Sequence, residues 1–155
     1  MINNLKVKES KVAASYKPTD YLFSSIIKQN GSLSIYKAIV EGFALKDVEA
    51  MISASQLYTS ARILEKIIGG SRKGCKRALQ GNVRLSAQKS AVAFQYAKGL
   101  ELAIKVFGDR YLADQWLGRP CKYLDDIIPL EALDNSFGYL AIEAYLENVI
   151  YGVYQ

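Results

Sequence analysis

From Ser34 onward, apolar residues recur at intervals of three and four positions along this 155-residue chain. That spacing places side chains on one face of an α-helix, whereas a half-buried strand shows strict alternation. The first members of the pattern are Ile35, Ala38, Ile39, Leu45, Val48, Met51 and Ile52. Because no segment alternates in the manner of a strand, the sequence predicts an all-α fold.

Polar capping residues and glycines divide this pattern into separate helices. The expected helices run from a Thr59 or Ser60 cap to about Ile68, from Ser71 to about Leu79, from Ser86 to about Val106, through Trp116 and Leu117, from Pro129, and over about 136–151. Residues 1–33 are polar and weakly periodic. They are therefore predicted to be a loose N-terminal extension.

The net charge of +5 conceals an uneven distribution along the chain. Residues 1–100 contain sixteen Lys and Arg against six Asp and Glu, a net charge of +10, and residues 101–155 contain four against nine, a net charge of −5. A basic region suits a polyanion and an acidic region does not. The distribution therefore predicts a nucleic-acid-binding part joined to a part with another task.

The residues available for chemistry are few. Histidine is absent, which removes His-based acid–base catalysis and most zinc sites. Asp125 and Asp126 follow a Pro-containing turn and are interpreted as a solvated or capping pair, while Cys75 and Cys121 are interpreted as reduced thiols. With no Gly-rich phosphate loop either, we expect no catalytic residue, no metal site and no cofactor.

The sequence also bears on where the protein resides. No run of about 18 apolar residues is present, so no membrane-spanning helix and no membrane partner are expected. The first residues, MINNLKVKESK, lack the apolar stretch of a signal peptide, which favours a cytoplasmic protein.

The segment SRKGCKRALQ predicts a helix with two dissimilar faces. Plotted at about 100° per residue, Arg72, Lys73, Lys76 and Arg77 fall on one side, and the opposite side is apolar around Cys75. A short helix and the joint GGS precede it. This order of elements is the layout of a helix-turn-helix, whose second helix enters the major groove of DNA.

Lysine and arginine on such a face neutralise phosphates, and arginine also contacts guanine edges. The candidate DNA-binding residues are Ser71, Arg72, Lys73, Lys76, Arg77 and, just past the helix, Arg84. The alternative is that these charges are solvated residues of an ordinary surface helix. The single sign of the charges, the short joint and the basic half of the chain favour DNA.

The chain ends ENVIYGVYQ, although chain ends are usually polar. The predicted final helix has one apolar stripe of Phe137, Leu140, Ala141, Ala144 and Tyr145, and a second stripe of Ile142, Leu146, Val149 and Ile150. A domain of about 50 residues has little left to cover both stripes. Gly152 is expected to end the helix in a left-handed conformation. The last three residues, Val153 to Gln155, then either tuck back onto their own domain or project towards a partner.

Trp116 in the segment DQWLGRP is predicted to be a core residue that packs under the Pro120 turn. The alternative is an interface anchor, a role in which tryptophan is common.

A series of motifs marks the second half of the chain. They are AIKVFGD at 103–109, Ala113 with Trp116 and Leu117, Pro120, Pro129 to Asp134, Gly138, and Tyr151 to Val153. With these motifs, residues 103–155 resemble the toxin-binding domain of the Xre/MbcA/ParS antitoxins. The preceding segment, from GFALKDVEAM through GNVRLSAQKS, resembles the Xre-like helix-turn-helix region of the same family.

The resemblance implies a helix-turn-helix helical domain followed by a small helical toxin-binding domain. Residues 1–33 would be a variable N-terminal extension, residues 34–102 the DNA-binding region and residues 103–155 the antitoxin domain. The function implied is that of a type II antitoxin, which inhibits a RES-type, NAD-degrading toxin and represses its own operon as a homodimer on operator DNA. The toxin-binding residues implied are Tyr145, Val149, Tyr151, Gly152, Val153, Tyr154 and Gln155.

Two other functions remain open at this point. The chain is alternatively a stand-alone helix-turn-helix transcription regulator with a helical C-terminal interaction domain. A small enzyme that works through Asp125, Asp126 or a lysine is disfavoured by the lack of histidine, of a metal cluster and of a phosphate loop. A neighbouring gene for a RES-like protein would favour the antitoxin over the regulator.

Overall fold

The computed structural model describes residues 17–23 and 31–152, and helices dominate this part of the chain. Its α-helices are α1 (Pro18–Leu22), α2 (Ser32–Glu41), α3 (Leu45–Ser53), α4 (Gln56–Ser60), α5 (Ile63–Ile68), α6 (Arg72–Leu79), α7 (Ala87–Phe107), α8 (Arg110–Leu117), α9 (Pro129–Ala132) and α10 (Ser136–Ile150). A 3-10 helix covers Lys122–Leu124. The described residues form two isolated β-bridges and no strand, so the all-α prediction is confirmed.

The central element of the fold is α7. It begins at the predicted cap, where the Ser86 hydroxyl accepts a hydrogen bond from the Lys89 N–H at 3.3 Å. Helices α1, α2, α8 and α10 pack around it. At Gly99 a Cβ atom would lie 2.7 Å from the Leu133 side chain. Glycine thus lets Leu133, which is fully buried, approach the surface of α7.

Residues 17–23 belong to the folded domain, so the prediction of a loose extension is wrong for them. Helix α1 packs against α3 and α7, and Leu22 is completely buried. The Thr19 hydroxyl donates a hydrogen bond to Glu101 Oε1 at 2.6 Å. A five-residue helix is too short for its periodicity to be detected in the sequence. Residues 31–33 of the predicted extension are also described, and α2 begins there at Ser32, whereas residues 1–16 and 24–30 lie outside the described residues.

The predicted helix from Thr59 or Ser60 to Ile68 is wrong at its start. Ser55 is the cap, and its hydroxyl accepts a hydrogen bond from the Tyr58 N–H at 3.1 Å at the beginning of α4. Arg62 then adopts a left-handed conformation (φ 56°) and separates α4 from α5. Tyr58 is fully buried, and its hydroxyl donates to the backbone carbonyl of Tyr96 at 2.8 Å. This contact with α7 is a tertiary interaction that no local pattern contains.

The predicted boundary between residues 102 and 103 falls inside α7, so the two regions share a helix. They also share a hydrophobic core, which includes Leu45 and Ile63 from the first region and Leu117 from the second. The carboxylate of Asp114 in α8 accepts hydrogen bonds from the Ser55 hydroxyl at 2.7 Å and from the Leu57 N–H at 3.2 Å. The first half is thereby tied to the second through both apolar and polar contacts.

Candidate functional site

Helices α5 and α6 are joined by only three residues. Gly69 ends α5 in the left-handed region (φ 76°), which glycine adopts at low cost. The Ser71 hydroxyl accepts a hydrogen bond from the Gly74 N–H at 3.1 Å and begins α6, which confirms the predicted cap. The two helices pack against each other. The described residues thus contain the short helix, tight joint and second helix that the sequence predicted.

Helix α6 exposes its cations and buries its apolar side. Lys73, Lys76 and Arg77 are exposed, whereas Cys75 is buried. Burial raises the pKa of the Cys75 thiol, and the nearby Glu65 carboxylate raises it further. The thiol therefore stays protonated at neutral pH and acts as an apolar core group. The predicted division of this helix into a cationic and an apolar face is confirmed.

One acidic side chain beside this face was missed by the sequence plot. Glu65 Oε1 lies 3.5 Å from Arg62 Nε and 3.8 Å from Arg72 Nε. Glu65 belongs to α5, and a plot of α6 alone cannot contain it. Arg72 is therefore partly neutralised, while the other three cations of α6 form no ion pair with a described residue.

Arg84 is held within the fold. Its Nη1 donates a hydrogen bond to the carbonyl of Gly42 at 2.6 Å, and its backbone pairs with Ala44. Gly42 has a φ of 92° and lies against the Leu85 carbonyl, where a side chain would find no room. The first role of Arg84 is thus to fix the connection between α2 and α3. Only its remaining N–H groups are available for the predicted phosphate contact.

The two apolar stripes of α10 have different surroundings. Ile142 and Leu146 are 1% and 0% exposed, whereas Phe137 and Leu140 are 82% and 52% exposed. This difference shows that the second stripe, where Val149 and Ile150 are half-buried, is covered more completely than the first. The exposed side of this helix, the outer face of α10, consists of Phe137, Leu140, Ala141, Ala144 and Tyr151.

Four aromatic rings from different elements form a continuous series, here called the aromatic column. Phe107 lies 5.5 Å from Trp116, Trp116 lies 5.8 Å from Tyr145, and Tyr145 lies 5.9 Å from Tyr123, measured between ring centroids. The planes of Trp116 and Tyr145 differ by only 6°, which is a stacked arrangement. Tyr123, at the end of the series, is 74% exposed.

Trp116 is half-buried and packs against the core, but its ring contacts come from α7 and α10. The predicted core role is confirmed by this packing, whereas the predicted position under the Pro120 turn stays a prediction. The aromatic partners of Trp116 are distant in sequence, so local spacing could not identify them.

The loop between Cys121 and Ile127 carries the outer end of the column. It is closed by backbone hydrogen bonds from the Cys121 N–H to Ile127 at 3.1 Å and from the Asp126 N–H to Cys121 at 3.0 Å. Asp125 and Asp126 are exposed, with φ values of 53° and 61°. They form a solvated pair, as predicted. Tyr123 was not identified as a candidate, although an aromatic residue in the polar segment KYLDD was a signal.

The predicted toxin-binding residues that the structure describes lie towards the end of α10. Tyr145 and Val149 are half-buried, and Tyr151 is 77% exposed. Gly152 follows the helix with a φ of 72°, which confirms the predicted left-handed glycine. Val153, Tyr154 and Gln155 lie outside the described residues.

One comparison with known proteins concerns this half of the chain. Residues 102–152 match the family model described as the antitoxin Xre/MbcA/ParS C-terminal toxin-binding domain. The matched span contains α8, α9 and α10, together with the outer face and the aromatic column. A search of the curated proteins found no match. Within the described ranges, no helix combines the length and apolar character needed to cross a membrane.

Proposed function

Since residues 102–152 match the C-terminal toxin-binding domain of the Xre/MbcA/ParS antitoxins, we propose that this chain is an antitoxin and that its partner is a RES-type toxin that degrades NAD. The C-terminal domain binds this toxin and blocks its reaction. The basic helix α6 binds operator DNA and represses the operon, with the chain acting as a homodimer. Both activities take place in the cytoplasm.

The outer face of α10 is the observation that best supports toxin binding. A surface helix normally carries polar residues opposite its buried face. On α10, Phe137, Leu140 and Ala144 lie opposite Ile142 and Leu146, at about half a turn of rotation. A contiguous exposed apolar patch is typical of an interaction site. Covering it is favourable by about 25 cal/mol for each Å² of apolar surface removed from water.

The shape of this face suggests how a toxin covers it. Ala141 and Ala144 are small and leave the backbone of α10 open to close approach, whereas Phe137 and Leu140 project on the same side. Residues at i, i+3, i+4 and i+7 form the ridge that an amphipathic helix lays into an apolar groove. We therefore expect a groove on the toxin, with pockets for Phe137 and Leu140.

The chain end supplies the inhibitory contact in this proposal. Tyr151 is exposed, and Gly152 turns the backbone out of the helical path. Val153, Tyr154 and Gln155 then enter the cleft in which the toxin binds NAD and obstruct the substrate. Support for this step comes from the family resemblance and from the exposed end of α10.

DNA binding is supported by the exposed cations Lys73, Lys76 and Arg77 on the second helix of a helix-turn-helix arrangement. The same residues would serve a stand-alone transcription regulator. The two functions differ in whether a toxin is bound, so the decisive test is made on the C-terminal domain.

The test is co-expression with the reading frame adjacent to this gene in a bacterial host. The neighbour alone should arrest growth, and the wild-type chain should restore growth and co-purify with it. A variant with Leu140→Glu and Ala144→Glu should fold but fail to restore growth. The matched control carries Leu33→Glu and Val40→Glu, since these exposed residues lie on α2, outside the matched domain. A wild-type chain that neither restores growth nor co-purifies would contradict the proposed function.

A shortened chain tests the inhibitory contact separately. Deletion of Val153 to Gln155 should leave the melting temperature and DNA binding unchanged while the purified complex regains NAD consumption. A much earlier melting temperature would show instead that these residues tuck onto their own domain. Full inhibition by the shortened chain would exclude the obstruction of the cleft.

A further inference from the structure

The aromatic column ends in a ring that is held in place and yet largely accessible. Tyr123 stacks on Tyr145 at 5.9 Å with a 21° angle between the rings, and Tyr145 stacks in turn on Trp116. Three quarters of Tyr123 is nevertheless exposed. A side chain whose orientation is already fixed loses little conformational entropy when a partner binds it. The Tyr123 ring is thus preorganised for binding a partner.

The loop that carries this ring has a net negative charge. Asp125 and Asp126 follow Tyr123 in the same closed loop, and both are exposed. Neither carboxylate forms an ion pair with a described residue. Lys122 is the single cation of the segment 121–127, and residues 101–155 carry a net charge of −5. A ligand of this loop is therefore expected to be cationic.

The loop also continues the outer face of α10. Tyr145, Ala141 and Phe137 are spaced four residues apart, so they form one ridge along the helix. Tyr123 contacts the Tyr145 end of that ridge. A partner that covers the outer face can extend over the loop without a gap.

We propose that Tyr123, Asp125 and Asp126 form a second anchor for the toxin, which receives an arginine side chain of the toxin surface. This inference rests on the proposed function, because it names a contact of the same partner. The face of a tyrosine ring attracts a cation, and a planar guanidinium can stack on the ring while it donates hydrogen bonds to a carboxylate. Arginine meets both requirements, whereas lysine offers a point charge without the planar stack. The anchor adds specificity to the apolar contact of the outer face.

The experiment measures binding of the purified product of the adjacent reading frame to the full-length chain at several salt concentrations. Tyr123→Ala should weaken the affinity about tenfold, the usual effect of removing an aromatic anchor. Asp125→Asn combined with Asp126→Asn should lower the association rate about tenfold and flatten its salt dependence, because carboxylates steer a cationic partner.

A second pair of substitutions separates binding from folding. Both aspartates have positive φ values, a conformation that glycine adopts more readily. Asp125→Gly combined with Asp126→Gly should therefore melt at or above the wild-type temperature and still lose affinity about tenfold. Affinity is then lost without a loss of stability, which a purely structural role for the aspartates does not produce.

Two controls match these variants. Tyr36→Ala removes a tyrosine of similar exposure, 62%, from α2 and should not alter toxin binding. Glu131→Gln combined with Asp134→Asn removes two exposed charges elsewhere in the same domain. It should alter the association rate much less than the pair in the loop.

The outcomes distinguish the anchor from the proposed function. A wild-type chain that binds the neighbouring gene product while all three loop variants bind equally well would overturn the anchor alone. Equal losses in the loop pair and in the Glu131 and Asp134 pair would also overturn it, since they would show a general charge effect. A loop variant with a changed oligomeric state in size-exclusion chromatography would show a self-interface and overturn it as well. Failure of the wild-type chain to bind would contradict the proposed function, and the anchor with it.

Discussion

Glu65 Oε1 lies 3.8 Å from Arg72 Nε, so an ion pair spans the joint between α5 and α6. The side chain of Arg72 is 69% exposed, and an exposed pair of this kind contributes little to stability. Its expected effect concerns the proposed DNA binding. The carboxylate partly offsets Arg72 at the start of α6, so we expect Lys76 and Arg77 to be the stronger phosphate ligands.

This relationship gives a prediction for DNA binding. Lys76→Ala combined with Arg77→Ala should weaken binding to the chain's own promoter DNA and reduce the log–log salt slope by about 0.9 for each lost phosphate contact. Arg72→Ala should have a smaller effect, and Glu65→Gln should strengthen binding, because it removes the competing carboxylate. Fluorescence anisotropy titrations over a range of salt concentrations measure both quantities. Unchanged affinity and slope in the double variant would show that α6 is merely a solvated surface helix.

Trp116 should be important for stability, because it joins α8 to α7 and α10 through its ring contacts. Trp116→Ala should lower the free energy of unfolding by about 2–3 kcal/mol, less than the full cost for a completely buried tryptophan. Urea unfolding followed by circular dichroism measures this change. Tyr123→Ala, at the exposed end of the same column, is the control and should cost well under half as much. Equal stability of Trp116→Ala and wild type would contradict a structural role for the column.

Asp114 should couple the two halves of the chain. Asp114→Ala leaves the Ser55 hydroxyl and the Leu57 N–H without their carboxylate, and we expect a loss of about 2–3 kcal/mol in the free energy of unfolding. The wild-type chain should unfold in one transition, because α7 and the core run through both halves. Calorimetry tests both statements, with the exposed Asp134→Asn as the control. Two separate transitions in the wild type would show that the halves fold independently.

Two buried tyrosines should make the folded protein less stable at alkaline pH. Burial raises the pKa of Tyr96 to about 12, with a further contribution from Asp134, and burial raises the pKa of Tyr58 well above its usual value. The folded state therefore favours the protonated phenols. The stabilisation from Tyr96 is complete below its unfolded pKa of about 10 and is lost as the pH rises towards 12.

Urea unfolding at a series of pH values tests whether stability decreases in this pH range. The free energy of unfolding should fall as the pH rises through this window, and Tyr96→Phe should make the fall shallower. The exposed Tyr36→Phe serves as the control. A stability that stays constant, or rises, between about pH 10 and 12 would contradict the burial of ionisable phenols.

The parts of the fold that the sequence predicts well are those decided within a few residues. Ser71 and Ser86 cap their helices through their own hydroxyls, and Gly152 ends α10 in a conformation that favours glycine. The break at Arg62 was not predicted, and Tyr58 on α4 contacts α7 in a tertiary interaction that local patterns do not contain. The cap at Ser55, by contrast, is a local signal that the helix prediction missed.

Of the two candidate surfaces, the sequence could predict one. The outer face of α10 could be predicted, because two apolar stripes lie on one helix and the domain is too small to cover both. The aromatic column could not be predicted, because its rings come from four separate segments that only the fold brings together. Glu65 was missed for the same reason, since it meets Arg72 across the joint between two helices.

Inhibition of a toxin by the C-terminal domain through α10 can be measured as NAD consumption by the purified product of the adjacent reading frame. Titration with the wild-type chain should reduce NAD consumption to the background rate at a fixed molar ratio. The Leu140→Glu, Ala144→Glu variant should leave consumption nearly unchanged, while its α2 control, Leu33→Glu with Val40→Glu, should inhibit like the wild type. Full inhibition by the α10 variant, or none by the wild-type chain, would contradict toxin inhibition through α10.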